Sequence, residues 1–134
     1  MEKIGITYII DDDPLYNFGT KKLMEFSDFT KEAFYFLNGE LAWNDLQHRI
    51  QEKLPLPDVI LLDINMPIMN GWQFLDMISQ VELPESIKIY VVSSSINQEE
   101  VDKANAYGIV TDYITKPLTL EKIKTLKMEI LKQD

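Results

Sequence analysis

The 134-residue sequence has no cysteine. That excludes disulfides and thiolate-bound metals and makes a reducing compartment, the cytoplasm, the expected setting. No stretch approaches the ~18 consecutive apolar residues of a membrane helix. The opening Met1-Glu2-Lys3-Ile4 does not begin a signal peptide. The expectation is therefore no membrane span and no leader. Positive charge is scarce: 13 Lys and Arg stand against 22 Asp and Glu, a net charge of −9. Nucleic-acid binders neutralise phosphates with Lys and Arg, so nucleic acid is not an expected partner, whereas a protein or a bound cation is. The sole histidine, His48, falls within a helical pattern and is expected on the surface. There is no repeat, no low-complexity stretch and no linker rich in Gly, Pro or Ser, so residues 1–134 are expected to form one domain.

What is present is an alternation of short apolar runs with longer helical patterns. Strands are predicted over 4–10, 33–37, 58–63, 87–93 and 110–114. Helices are predicted over 14–26, 40–54, 72–81 and 97–107, and the fifth begins after a Thr119 cap. Asp13 before Pro14 suits an N-cap followed by Pro at the first helical position. Packed faces are expected from Ala42, Leu46 and Ile50, from Val101, Ala104 and Tyr107, and from Ile123, Leu126 and Ile130. Trp43 and Trp72 read as packing residues, and Met66 and Met69 as cover for the loop that follows the third strand. The four apolar residues Val59-Ile60-Leu61-Leu62 suggest a strand buried on both faces. Strict βα alternation with right-handed crossovers predicts an α/β fold, an open three-layer sandwich around a parallel five-stranded sheet. Ligands of such sheets sit at the carboxyl ends of the strands.

Those ends carry the chemistry. Asp11-Asp12-Asp13 follows the first apolar run, Asp63 follows the third, and Lys116-Pro117 follows the fifth. If the strands are parallel neighbours, carboxylates and one ammonium converge. Two like charges ~4 Å apart repel by roughly 4 kcal/mol at an effective dielectric of ~20. Such a gathering of acids suits Mg²⁺, which takes oxygen ligands and keeps some of its waters. Asp12 and Asp63 would each supply an oxygen, Asp11 would hold a coordinating water, and the Asn65 carbonyl would face the same ion. Asp63, left ionised, can attack phosphorus. Lys116 and the hydroxyl of Ser93, at the end of the fourth strand, would meet phosphoryl oxygens.

These stretches resemble the receiver domain of bacterial two-component response regulators, of the stand-alone, CheY-like kind. The resemblance is carried by Ile9-Ile10-Asp11-Asp12-Asp13-Pro14, by residues 58–71 with their Met66-Pro67 and Gly71, by Val91-Val92-Ser93-Ser94, and by residues 112–117. It implies the flavodoxin-like (βα)5 fold with strand order 2-1-3-4-5. It also implies that Asp63 is the phosphoacceptor, with Asp11, Asp12 and Asn65 at the Mg²⁺. Ser93 then takes the switch-hydroxyl position, Tyr113 the switch-aromatic position, and Lys116-Pro117 a cis peptide. Three serines in a row leave two registers: counting forward from Asp63 favours Ser93, and counting back from Lys116 favours Ser94. The difference points to one extra residue in 108–112, and the end of the strand at Val91-Val92 favours Ser93.

A histidine kinase or phosphotransfer protein is the implied donor. Only Gln133-Asp134 follow the fifth helix, so the expected output is a protein target that reads the surface of helix four, strand five and helix five. A Mg²⁺-dependent phosphohydrolase is the enzyme alternative. It would need a second Asp two residues beyond the nucleophile, where Asn65 stands, so slow self-dephosphorylation is expected rather than turnover. A pseudo-receiver would lack an acid, the lysine or the hydroxyl, and none is missing. Flavin binding would need a Gly-rich or hydroxyl-rich loop after the first strand in place of Asp11-Asp12-Asp13.

Overall fold

The computed structural model describes residues 2–66, 68–84 and 86–132. Pro67 of the Met-Pro motif and the terminal Gln133-Asp134 lie outside them. The order of elements is β1 (Ile4–Ile10), α1 (Pro14–Ser27), β2 (Thr30–Phe36), α2 (Gly39–Gln51), β3 (Val59–Leu62), α3 (Gly71–Ile78), β4 (Lys88–Ser93), α4 (Gln98–Ala106), β5 (Val110–Thr115) and α5 (Leu120–Leu131). The strands form one sheet of order β2-β1-β3-β4-β5, and every pairing is parallel. This is the flavodoxin-like arrangement expected from the sequence.

Successive side chains of a strand point to opposite faces, and the two cores follow that rule. Tyr8, Ile10, Ile60, Leu62 and Val91 join residues of α2, α3 and α4 in one core. Ile9, Val59, Leu61, Tyr90 and Val92 join α1 and α5 in the other. All four residues of β3 are buried, as a central strand between two helical layers requires. Tyr8 brings a hydroxyl into the first core, where it donates a hydrogen bond to the Asp45 carboxylate. Arg49 Nε donates to the same carboxylate at 2.8 Å, and its guanidinium lies 4.6 Å from the Phe34 ring centre.

Several helical faces differ from expectation. α1 buries Asn17, Thr20 and Met24 and leaves Leu15 and Phe18 exposed, which explains its irregular apolar pattern. α2 ends at Gln51 rather than Leu54, because Lys53 takes a left-handed conformation (φ 55°), and Ile50 is 38% exposed instead of packed. α3 stops at Ile78, before the expected Val81, where Ser79 Oγ donates to the Leu75 carbonyl. Of the trio expected on α4, Ala104 is buried in the first core and Tyr107, the cap just beyond Ala106, packs against it, whereas Val101 is half-buried. Trp72 is half-buried and stacks on Tyr107 at 6.1 Å between ring centres.

β5 contains an irregularity that bears on the serine register. Ile89 pairs with Val110, but Tyr90 pairs with Asp112, so Thr111 faces no residue of β4. A one-residue bulge of this kind reverses the side-chain alternation beyond it. Val110 and Tyr113, three positions apart, therefore pack on the same core. The unpaired Thr111 lies within the 108–112 stretch, and beyond it Ser93 pairs with Thr115.

Candidate functional site

Three residues that close on one another share one backbone position, the first residue beyond the end of a strand. Asp11 follows β1, Asp63 follows β3 and Lys116 follows β5. Each donates its N–H to the last residue of the neighbouring strand: Asp11 to Phe36 O at 3.0 Å, Asp63 to Ile10 O at 2.9 Å and Lys116 to Ser93 O at 2.7 Å. The ladder thus runs one step past the sheet proper and anchors each functional side chain at its base.

The Lys116 ammonium lies 2.6 Å from Asp11 Oδ2 and 3.6 Å from Asp63 Oδ1. Asp11, Asp12 and Asp63 each present a carboxylate oxygen within 4.8 Å of the others. Asp11 is 2% exposed and Asp63 7%, whereas Asp12 faces solvent. Burial, followed by the Asp11 charge, pushes the Asp63 carboxyl up to about 6, with Lys116 opposing. Three carboxylates against one ammonium leave two formal negative charges uncompensated. The donors are hard oxygens, one of them open to water. That set fits a small divalent cation that keeps part of its hydration shell.

Neighbouring groups hold the acids in place. Asp13 Oδ1 accepts the N–H groups of Leu15 and Tyr16 and caps α1, the role expected of it. Asp11 Oδ1 accepts the Asp13 N–H at 3.0 Å, and Asn17 Nδ2 donates to the Asp11 carbonyl at 3.0 Å. The loop after Asp63 doubles back: Gly71 N–H meets Ile64 O at 2.9 Å, and Met69 O accepts the Gly39 N–H at 3.0 Å. Met66 is buried in the α2/α3 core and Met69 packs against it.

Ser93 ends β4 with 0% exposure, and its hydroxyl accepts the Ser95 N–H at 3.1 Å, whereas Ser94 is exposed. Asn65 is exposed in the loop two residues beyond Asp63. Tyr113 is half-buried; its hydroxyl meets Ser95 O at 2.9 Å and the Glu100 carboxylate. The Lys116–Pro117 peptide is cis. His48 is exposed.

Two neighbours of the cluster carry no signal in the sequence. The Tyr16 ring centre lies 4.1 Å from Lys116 Nζ, and the Asn17 amide holds the Asp11 backbone. Both sit on the face of α1 turned towards the sheet. A search for an apolar stripe passes over that face because Asn17 and Thr20 occupy it.

Among the described residues no helix is long and apolar enough to cross a membrane. Comparison with known proteins agrees with this geometry. A crystal structure of a two component response regulator from Cytophaga hutchinsonii superposes with a TM-score of 0.87 at 30% identity, covering 98% of this chain and all of that one. The nitrate/nitrite response regulator protein NarL of Escherichia coli is 33% identical over 116 residues, 86% of this chain and 49% of NarL. A probable methanogenesis regulatory protein, FilR2 of Methanothrix harundinacea, is 25% identical over 125 residues, 93% of this chain and 80% of FilR2. The chain thus spans most of one curated relative and about half of the other. The family model for the response regulator receiver domain matches residues 7–127. With its five parallel strands and its acids and lysine meeting at their carboxyl ends, the chain belongs to the response regulator receiver domain family of two-component signalling.

Proposed function

We propose that residues 1–134 act as one receiver domain in which Asp63 accepts a phosphoryl group from a histidine kinase or phosphotransfer protein. The observation that carries this reading is the position of Asp63, a nearly buried carboxylate beside two further acids and within 3.6 Å of the Lys116 ammonium. An Asp63 oxygen forms the new bond to phosphorus. The P–N bond of the phosphohistidine breaks, and the imidazole leaves with its electron pair. Asp11, Asp12, Asp63 and the Asn65 carbonyl would hold Mg²⁺. When bound, Mg²⁺ supplies positive charge that keeps Asp63 ionised and balances charge on the transferred group. Lys116 directs its N–H groups at one phosphoryl oxygen as a compact point charge, and the Ser93 hydroxyl donates to another.

The switch is a local hydrogen-bonding change with a wider readout. Ser93 moves towards the phosphoryl group, and Tyr113 turns into the space it leaves. Support comes from the Tyr113 hydroxyl, which bonds Ser95 and Glu100, so β5 is tied to the segment that follows Ser93. The surface of α4, β5 and α5 then presents a different face to a downstream protein. The net charge of −9 favours a protein over nucleic acid as that target. The domain is a cytoplasmic signalling element rather than a turnover enzyme, with Asn65 where a hydrolase would carry its second acid.

The test is incubation with acetyl phosphate and Mg²⁺ followed by intact mass measurement. A single phosphoryl adduct is expected, absent in Asp63→Asn and without Mg²⁺. An adduct that survives Asp63→Asn would sink the assignment.

A further inference from the structure

The Lys116 ammonium is met from three directions, and only two of them are acids. Asp11 Oδ2 lies at 2.6 Å, Asp63 Oδ1 at 3.6 Å and the centre of the Tyr16 ring at 4.1 Å. A cation this close to an aromatic face is held by the ring quadrupole, more strongly where water is displaced. A lysine stem is flexible and its head strongly hydrated. The shorter contact, to Asp11, would by itself draw the ammonium away from Asp63.

Tyr16 is well placed to limit that freedom. It is half-buried in the first turn of α1, where the Asp13 carboxylate accepts its N–H at 3.3 Å. Asn17, the next residue, donates to the Asp11 carbonyl at 3.0 Å. Acid and ring are therefore set relative to each other by one short segment, 11–17, and Lys116 enters between them from β5.

We propose that Tyr16 is a positioning residue for Lys116: its ring face keeps the ammonium within reach of Asp63 and so sets the rate at which Asp63 is phosphorylated. The proposal rests on the reading of Asp63 as the phosphoacceptor. With acetyl phosphate, an Asp63 oxygen bonds to phosphorus while the bond from phosphorus to the acetate oxygen breaks, and acetate leaves with that electron pair. The Lys116 protons stay on nitrogen throughout and stabilise charge on the phosphoryl oxygens. Tyr16 touches neither phosphorus nor leaving group and acts only through the ammonium.

The experiment has two parts. In metal-free protein carrying isotope-labelled lysine, the Lys116 ε-methylene signals, assigned by their loss in Lys116→Ala, should lie upfield under the ring current of Tyr16. Tyr16→Phe should keep that shift, and Tyr16→Leu should abolish it. In the second part, adduct formation on Asp63 is timed with acetyl phosphate and Mg²⁺. Tyr16→Leu should be slower by roughly three- to tenfold, the range a partly desolvated cation–π contact supplies. Tyr16→Phe should restore most of the rate. In a Lys116→Ala background Tyr16→Leu should slow the reaction no further, because the group it positions is gone. Tyr16→Met is the second variant should Tyr16→Leu fail to fold. Equal slowing in both backgrounds, or Tyr16→Phe as slow as Tyr16→Leu, would overturn the proposal. So would a Lys116 signal that ignores position 16. If the wild type forms an adduct and Tyr16→Leu matches it, Tyr16 alone is dismissed. If the wild type forms none, the phosphoacceptor reading falls and takes this proposal with it.

Discussion

A Cβ added to Gly71 would sit 2.6 Å from the carbonyl oxygen of Asp63. It would also lie 2.7 Å from Ile64 Cα, so both obstacles are backbone. Neither can rotate aside, and the whole turn from Asp63 to α3 would have to open. Gly71→Ala is expected to lower stability by about 1–3 kcal/mol, the range for steric overpacking at a tight site. Urea unfolding monitored by circular dichroism checks it. An unchanged midpoint would mean that the loop does not fold back on Asp63.

Asp63 has a pH-dependent cost. Its folded-state carboxyl lies at about 6, above the ordinary 3.8, chiefly because it is buried and secondly because Asp11 is charged. Between these values the native state binds more protons than the unfolded state, so this group makes stability fall as pH rises from about 4 to 6. Above pH 6 the whole penalty is present. In metal-free buffer at pH 7, Asp63→Asn is therefore expected to be more stable than wild type by about 2–3 kcal/mol, with the gap closing below pH 4. Thermal melts across this range, with chelator present, decide the sign.

A divalent cation should remove that penalty. Mg²⁺ at one hundred times its dissociation constant adds about 2.7 kcal/mol to a protein that binds it only when folded. Asp12 is exposed and its side chain supports no packing, so Asp12→Ala should change metal-free stability by less than about 0.5 kcal/mol. The Mg²⁺-dependent rise in melting temperature should nonetheless be lost in that variant. Calorimetry with and without Mg²⁺ measures both effects, and a full rise in Asp12→Ala would remove this residue from the metal site.

Tyr113 ties β5 to the start of α4 through Ser95 O and the Glu100 carboxylate. Tyr113→Phe deletes the shared hydroxyl while keeping the ring. The expected loss is about 1 kcal/mol, since the site is only half-buried. Amide exchange should accelerate over residues 95–100 and stay unchanged in β1 and β3. Uniform acceleration across the sheet would point to global destabilisation instead.

Much of this was readable from local pattern. β1 runs from Ile4 to Ile10 and α1 starts at Pro14, as apolar run and cap indicate. Asp13, Asn97 and Thr119 cap their helices with their own side chains. β2 starts at Thr30, ahead of the expected Ala33, a start hidden from local pattern because Thr30-Lys31-Glu32 is polar and shows no apolar run. At the edge of the sheet this segment is recruited by pairing with β1, which does not depend on its side chains. The buried face of α1 was hidden for a related reason: polar Asn17 serves the Asp11 loop there.

By itself the sequence determined the parallel α/β architecture and the acids and lysine beyond its strand ends. Those follow from periodicity, caps and strand-end chemistry, all of which act over a few residues. Tertiary structure alone decided that Lys116, 105 positions from Asp11, leans closer to it than to Asp63 and rests on Tyr16. It alone decided that Thr111 of β5 is left unpaired, so that Val110 and Tyr113 share a core. The reason is physical: strand register and the packing of one element on another arise from contacts between distant segments, which no local window of residues encodes.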